Sequence, residues 1–100
     1  MEFALLEKKG LSKCLFDKDI NPEKFHIHIS EIAPGKSSHS QHTHNGIEAL
    51  YIFQGTGEVK VEEKTYSLGP NETIIIDASK IHGLTNTGEE PLRYMIIKVN

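Results

Sequence analysis

Apolar and polar residues alternate most regularly from Phe25 to Ile32. Phe25, Ile27 and Ile29 hold one parity, and His26, His28 and Ser30 the other. A period of two predicts a strand with one face inward. Ala33-Pro34-Gly35 ends it, and a polar loop of small residues runs from Lys36 to Gln41. His42-Thr43-His44 then reads as extended chain. Glu48 to Gln54 is apolar on both parities. If Glu48 faces inward, Leu50 and Ile52 share its face, and Ala49, Tyr51 and Phe53 face out. Glu58–Val61 and Thr65–Leu68 read as a hairpin turning at Glu62-Glu63-Lys64, and Gly69-Pro70-Asn71 as a turn. The isoleucine run within Thr73–Asp77 predicts a strand buried on both faces. Ile81–Asn86 and Leu92–Val99 complete the set. Near the start, residues 3–6 and 11–16 are short apolar pieces either side of Gly10; the first could equally be a helical turn. Asp17–Lys24, with Asn21-Pro22, is a loop. Eight to nine short strands without a convincing helix predict an all-β sandwich or antiparallel barrel.

The chain has 100 residues, which predicts a single domain over 1–100 with one core and no linker. The formal charge is −3 and no basic run exists, so nucleic acid is not an expected partner. Cys14 is the single cysteine, so no internal disulfide can form and a reducing compartment is expected. The apolar piece Phe3-Ala4-Leu5-Leu6 is too short for a signal-peptide core, and no apolar run reaches membrane length. The expectation is a cytoplasmic protein without membrane contact.

The chemistry is concentrated in His42-Thr43-His44-Asn45-Gly46-Ile47-Glu48. Histidines at i and i+2 point to one side of an extended chain. Glu48 follows a turn at Asn45-Gly46 that can bring it to the same point. Imidazole and carboxylate together suit a divalent transition metal. His82, in His82-Gly83-Leu84-Thr85-Asn86, is a fourth candidate. A histidine pair two apart is by itself an ordinary surface feature, and His26 and His28 form a second one. The glutamate, the closing Gly55 and the distant histidine separate the first pair from that background.

Gly35, His42, His44, Glu48 and Gly55 resemble the first motif of the cupin family, G-x5-H-x-H-x3,4-E-x6-G, with one extra residue after Gly35. Gly69, His82 and Asn86 resemble part of the second, G-x5-P-x-G-x2-H-x3-N. Asp77 stands at its proline, Ser79 at its second glycine, and Gly69 lies two residues too far away. The resemblance implies a small double-stranded β-helix, or jelly-roll, and a metal held by His42, His44, Glu48 and His82. It implies no particular reaction, because the fold hosts many.

Four ligands on a six-coordinate metal leave two positions open, and a divalent ion among them keeps a net charge of about +1. Iron, copper or nickel would suit dioxygenase-type chemistry. Manganese, zinc, nickel or cobalt would suit a Lewis-acid isomerase or lyase. Either centre favours a small anionic ligand that chelates through two oxygens. The alternative is a small-molecule or sugar-binding module with a structural or vestigial metal. His26 and His28 are candidate acid/base groups if their face enters the barrel; otherwise they face solvent. Asn86 reads as a turn or supporting residue. Tyr94 and Arg93 hold opposite faces of the last strand, and one of them could line the pocket mouth; the preferred reading is an ordinary barrel tyrosine and a surface arginine. The outward Tyr51 and Phe53 need a cover, for which a homodimer is the expectation.

Overall fold

A computed structural model describes residues 2–38 and 43–100. Its strands, in chain order, are β1 (Phe3–Leu5), β2 (Leu15–Asp17), β3 (Phe25–Ile32), β4 (Ile47–Gln54), β5 (Gly57–Val61), β6 (Lys64–Leu68), β7 (Thr73–Asp77), β8 (His82–Asn86) and β9 (Leu92–Val99). The only helical element among the described residues is a 3-10 turn at Pro22–Lys24. The Asn21 side chain starts that turn by accepting the Glu23 N–H at 3.0 Å. The described residues contain no helix long and apolar enough to cross a membrane.

The fold is all-β and antiparallel, in the jelly-roll class. One sheet runs β3-β9-β4-β7, a second runs β6-β5-β8, and β1 and β2 form a separate ribbon. The barrel is not fully closed. Its core draws on both large sheets: Leu50, Ile52, Leu92 and Ile96 from the first, Val59 and Leu84 from the second. Ile52 and Leu92 are completely buried.

The register of β9 orders the inner wall into levels. Lys98 lies between His26 and Glu48, Ile96 between His28 and Leu50, and Tyr94 between Ser30 and Ile52. Leu92 and Ile32 close the far end of the wall. Polar groups therefore sit towards the Glu48 end and aliphatic ones towards the other.

Two expectations change. Ile75 is 68% exposed, although the isoleucine run pointed to burial on both faces. β7 is an edge strand, and its alternation turns Ile74 and Ile76 inward while Ile75 joins Ala49 on the outer face. Thr43 and His44 are not in a strand. His44 N–H donates to the Ala78 carbonyl at 2.9 Å, and the chain then turns at Gly46. Gly46 has φ +92°, and a Cβ on it would overlap the Val99 carbonyl oxygen, so glycine is required at this turn.

Two rows on the outer face of the four-stranded sheet are largely apolar, with Asp77 on β7 ending the second. Ile75, Ala49, Ile97 and Ile27 form one row, and Ile47, Val99 and Phe25 the next. Ile47 is 55% exposed. Such a face calls for a partner, and we propose a second copy of the chain packed two-fold across it. Light scattering should then give twice the chain mass, falling to the chain mass in Ile75→Lys; a monomeric parent rejects the proposal. Within the core, Leu92→Ala should lower unfolding stability by about 2–5 kcal/mol in chemical denaturation.

Candidate metal centre and cavity

Three of the candidate ligands converge. One ligand atom from each of His44, Glu48 and His82 lies within 4.8 Å of the others. Glu48 Oε1 is 3.1 Å from His44 Nε2, and Glu48 Oε2 is 3.2 Å from His82 Nε2. The alternation of β4 turns Glu48 inward, where it is 5% exposed. His82 opens β8. The loops bearing the two histidines meet at Ala78, whose carbonyl accepts from His44 N–H and whose N–H donates to the Gly46 carbonyl at 3.0 Å.

The tautomers follow from the backbone. His82 Nδ1 lies 2.7 Å from the Lys80 carbonyl, and His44 Nδ1 3.2 Å from the Asn45 carbonyl. A carbonyl oxygen only accepts, so each Nδ1 carries the hydrogen. In a neutral ring each Nε2 then turns a lone pair towards a carboxylate oxygen. That geometry suits a cation shared between the carboxylate and the two rings. Backbone-anchored Nδ1–H groups with Nε2 pointing inward are the usual support for metal-binding imidazoles. The donor set therefore fits a divalent transition metal.

Beside this cluster is a cavity of about 320 Å³. Its wall includes Glu48 and His82, with His28, Ser30 and Tyr94 from β3 and β9 and Lys98 at the level of Glu48. Burial, then the nearby Lys98 and Lys9 ammonium groups, hold His28 below its ordinary pKa, while the Glu48 carboxylate opposes them. Burial raises the Tyr94 phenol, against a hydrogen bond with Ser30.

The Cupin domain family model matches residues 28–98. The chain belongs to the cupin family. L-Ectoine synthase from Bordetella parapertussis is 32% identical over 75 residues, which cover 73% of this cupin and 56% of that protein. 5-Nitrosalicylic acid 1,2-dioxygenase from a Bradyrhizobium species is 36% identical over 66 residues, covering 65% of this cupin and 31% of that enzyme. The chain thus spans 56% or less of either relative. A cupin superfamily structure from Desulfitobacterium hafniense superposes with a TM-score of 0.70 at 21% identity, over 80% of this chain and 71% of that one. That likeness is one of fold.

The other candidate residues of this cupin divide into several cases. His42, the remaining candidate ligand, lies outside the described residues, as does His39. Of the candidate acid/base pair, His28 lines the cavity and His26 does not. His26 shares the inward parity but sits one level beyond His28, at Lys98, where its Nδ1 is 3.4 Å from Lys8 Nζ. Asn86 is buried and supports the fold, donating to the Ile32 and Glu90 carbonyls at 2.9 and 2.8 Å. Arg93 faces Glu31 at the surface, 3.7 Å away. Asp77 and Ser79, which depart from the second motif, make their own turn. Asp77 Oδ1 accepts from the Ser79 N–H at 3.0 Å and its hydroxyl at 2.7 Å, which also lowers the Asp77 pKa.

Tyr94, offered as one of two residues that could line the pocket mouth, is in the cavity wall, and so are Lys98 and Lys9, to which no sequence pattern assigned a role. Parity with Leu92 and Ile96 would have found Lys98. Lys9 arrives from the N-terminal segment, and no local pattern marks it.

NMR titration of metal-free protein should place His28 below its reference value of 6.5, and Lys98→Met should raise it partway, because burial is the larger cause. The sign for stability follows. As pH falls below about 6.5 the unfolded chain protonates this histidine first, so the folded state loses stability until the lower folded pKa is passed. His28→Gln should flatten that acid-side loss; an unchanged slope would contradict it.

Proposed function

We propose that this cupin is a metal-dependent enzyme acting on a small, oxygen-rich, anionic metabolite. The supporting observation is the convergence of His44, Glu48 and His82 on the wall of a cavity that also contains His28. His42 is the proposed remaining ligand. When bound, a divalent metal would polarise a chelated carbonyl or carboxylate, or serve dioxygenase-type chemistry.

The chain's own residues supply the rest. His28, held towards its neutral form, is the proposed proton acceptor. Tyr94 and Ser30 offer hydroxyl groups one level further in, for orienting the ligand. The aliphatic walls from Leu50, Ile74 and Ile76 limit water around the reacting group. The dioxygenase relative favours the oxygen-using branch, whereas an isomerase or lyase needs only the polarising role. The second reading is a binding module. It is supported by the aliphatic part of the cavity wall, Leu50, Ile74 and Ile76, which can hold a ligand without acting on it.

Metal analysis of protein purified without a histidine tag tests the proposal. About one equivalent of a single metal is expected, lost in His82→Ala and in Glu48→Gln, with folding checked by circular dichroism. No uptake on adding metals back, or full retention in both variants, would reject the metal centre. Iron would direct assays to oxygen consumption, and manganese, zinc or nickel to isomerase and lyase substrates.

A further inference from the structure

The cavity is more cationic than a metal centre alone requires. Lys9, Lys36 and Lys98 all contribute to its lining. Among the described residues none of these has a carboxylate within 4.0 Å; the Lys and Arg ion pairs are Lys18–Glu2 and Arg93–Glu31. Glu31 also borders the cavity, but it faces Arg93. Glu48 is engaged by two imidazoles. Lys9 and Lys36 are exposed and add positive charge beside the cavity, whereas the half-buried Lys98 loses part of its hydration without an internal counter-charge. An anionic ligand would supply it.

Lys98 and Lys9 reach this place by independent routes. Lys98 is half-buried in β9, beside Glu48 on one strand and His26 on the other. Lys9 sits at the rim on the segment before β2. Its carbonyl accepts the Ile29 N–H at 2.9 Å, which fastens that segment to the free edge of β3. Gly10 makes the approach possible: at φ +78° it lies so close to the Ile29 carbonyl that no Cβ fits. Both lysines line the same cavity as His28, and both act electrostatically on that imidazole.

Building on the metal-enzyme reading, we infer that the ligand is a dianion, with a chelating end for the histidine–carboxylate cluster and a second anionic group held by Lys98 and Lys9. The volume of about 320 Å³ suits a small metabolite. A carboxylate and a phosphate ester present the same chemistry to two ammonium groups.

Calorimetric titration of the protein as purified distinguishes these cases. Malate and lactate share a 2-hydroxycarboxylate, and only malate carries a second carboxylate. 3-Phosphoglycerate and glycerate make the same comparison for phosphate. One dianion should bind about tenfold tighter than its singly charged counterpart, and the pair showing this identifies the second group. Lys98→Met and Lys9→Met should each remove most of that advantage, lowering the affinity of the dianion more than that of lactate or glycerate. Gly10→Ala, which retains both lysines but unseats the segment, should reproduce Lys9→Met. No advantage for either dianion, or an advantage that survives both lysine variants, would overturn the inference. Metal content measured on the same samples separates the two readings. Lysine-dependent preference without metal keeps this inference and removes the metal centre; bound metal without preference does the reverse.

Discussion

A buried carboxylate between two imidazoles is the constraint on which the rest of the site depends. Glu48 is nearly inaccessible, and both its oxygens face ring nitrogens at 3.1 and 3.2 Å. Removing a carboxylate from water is expensive unless positive charge compensates it closely. The hydrogen bonds from Nδ1 to the Lys80 and Asn45 carbonyls fix which nitrogen faces it. Several local features follow from this requirement. The Gly46 turn permits His44 and Glu48 to meet across a short connection. The paired backbone at Ala78 holds the loop before β8 against the loop before β4. The alternation of β4 then buries Leu50 and Ile52 on the same face as Glu48, so the hydrophobic core and the charged site share one strand.

β9 links that strand to the opposite wall. It lies between β3 and β4, and its inward residues change from Leu92 at one end to Lys98 at the other. The aliphatic end packs into the core, and the polar end lines the cavity. Its outward residues, Met95, Ile97 and Val99, belong to the apolar outer face. One strand thus serves core, cavity and proposed interface through period two alone.

Much of this was legible in the sequence. The alternation from Phe25 to Ile32 matched β3 at both ends, and the inward face of Glu48, Leu50 and Ile52 was correctly assigned. Those features are local, set by strand pleat and turn residues. Ile75 was misread because a run of isoleucines does not report whether its strand lies at a sheet edge. His26 and His28 have the same parity, so the sequence could not separate them; the barrel did, by the level at which each sits. Lys9 was invisible for a different reason. Its position depends on a backbone bond to Ile29, twenty residues away in the chain.

The charges of the cavity are best considered together. Glu48 already faces His44 and His82, and a divalent metal there would leave that cluster net positive. It therefore cannot also neutralise Lys98, although Lys98 is its cross-strand neighbour. The same lysine lowers the His28 pKa, and so favours the form of that imidazole able to accept a proton. A dianionic ligand would partly cancel this effect by neutralising Lys98 and Lys9, raising the affinity of His28 for a proton as the ligand binds. Recognition of the second anionic group and the basicity of the proposed acceptor are thus coupled through the same two ammonium groups. A ligand with only the chelating end would leave His28 a weaker base. On this arrangement the distal charge contributes to reactivity as well as to affinity.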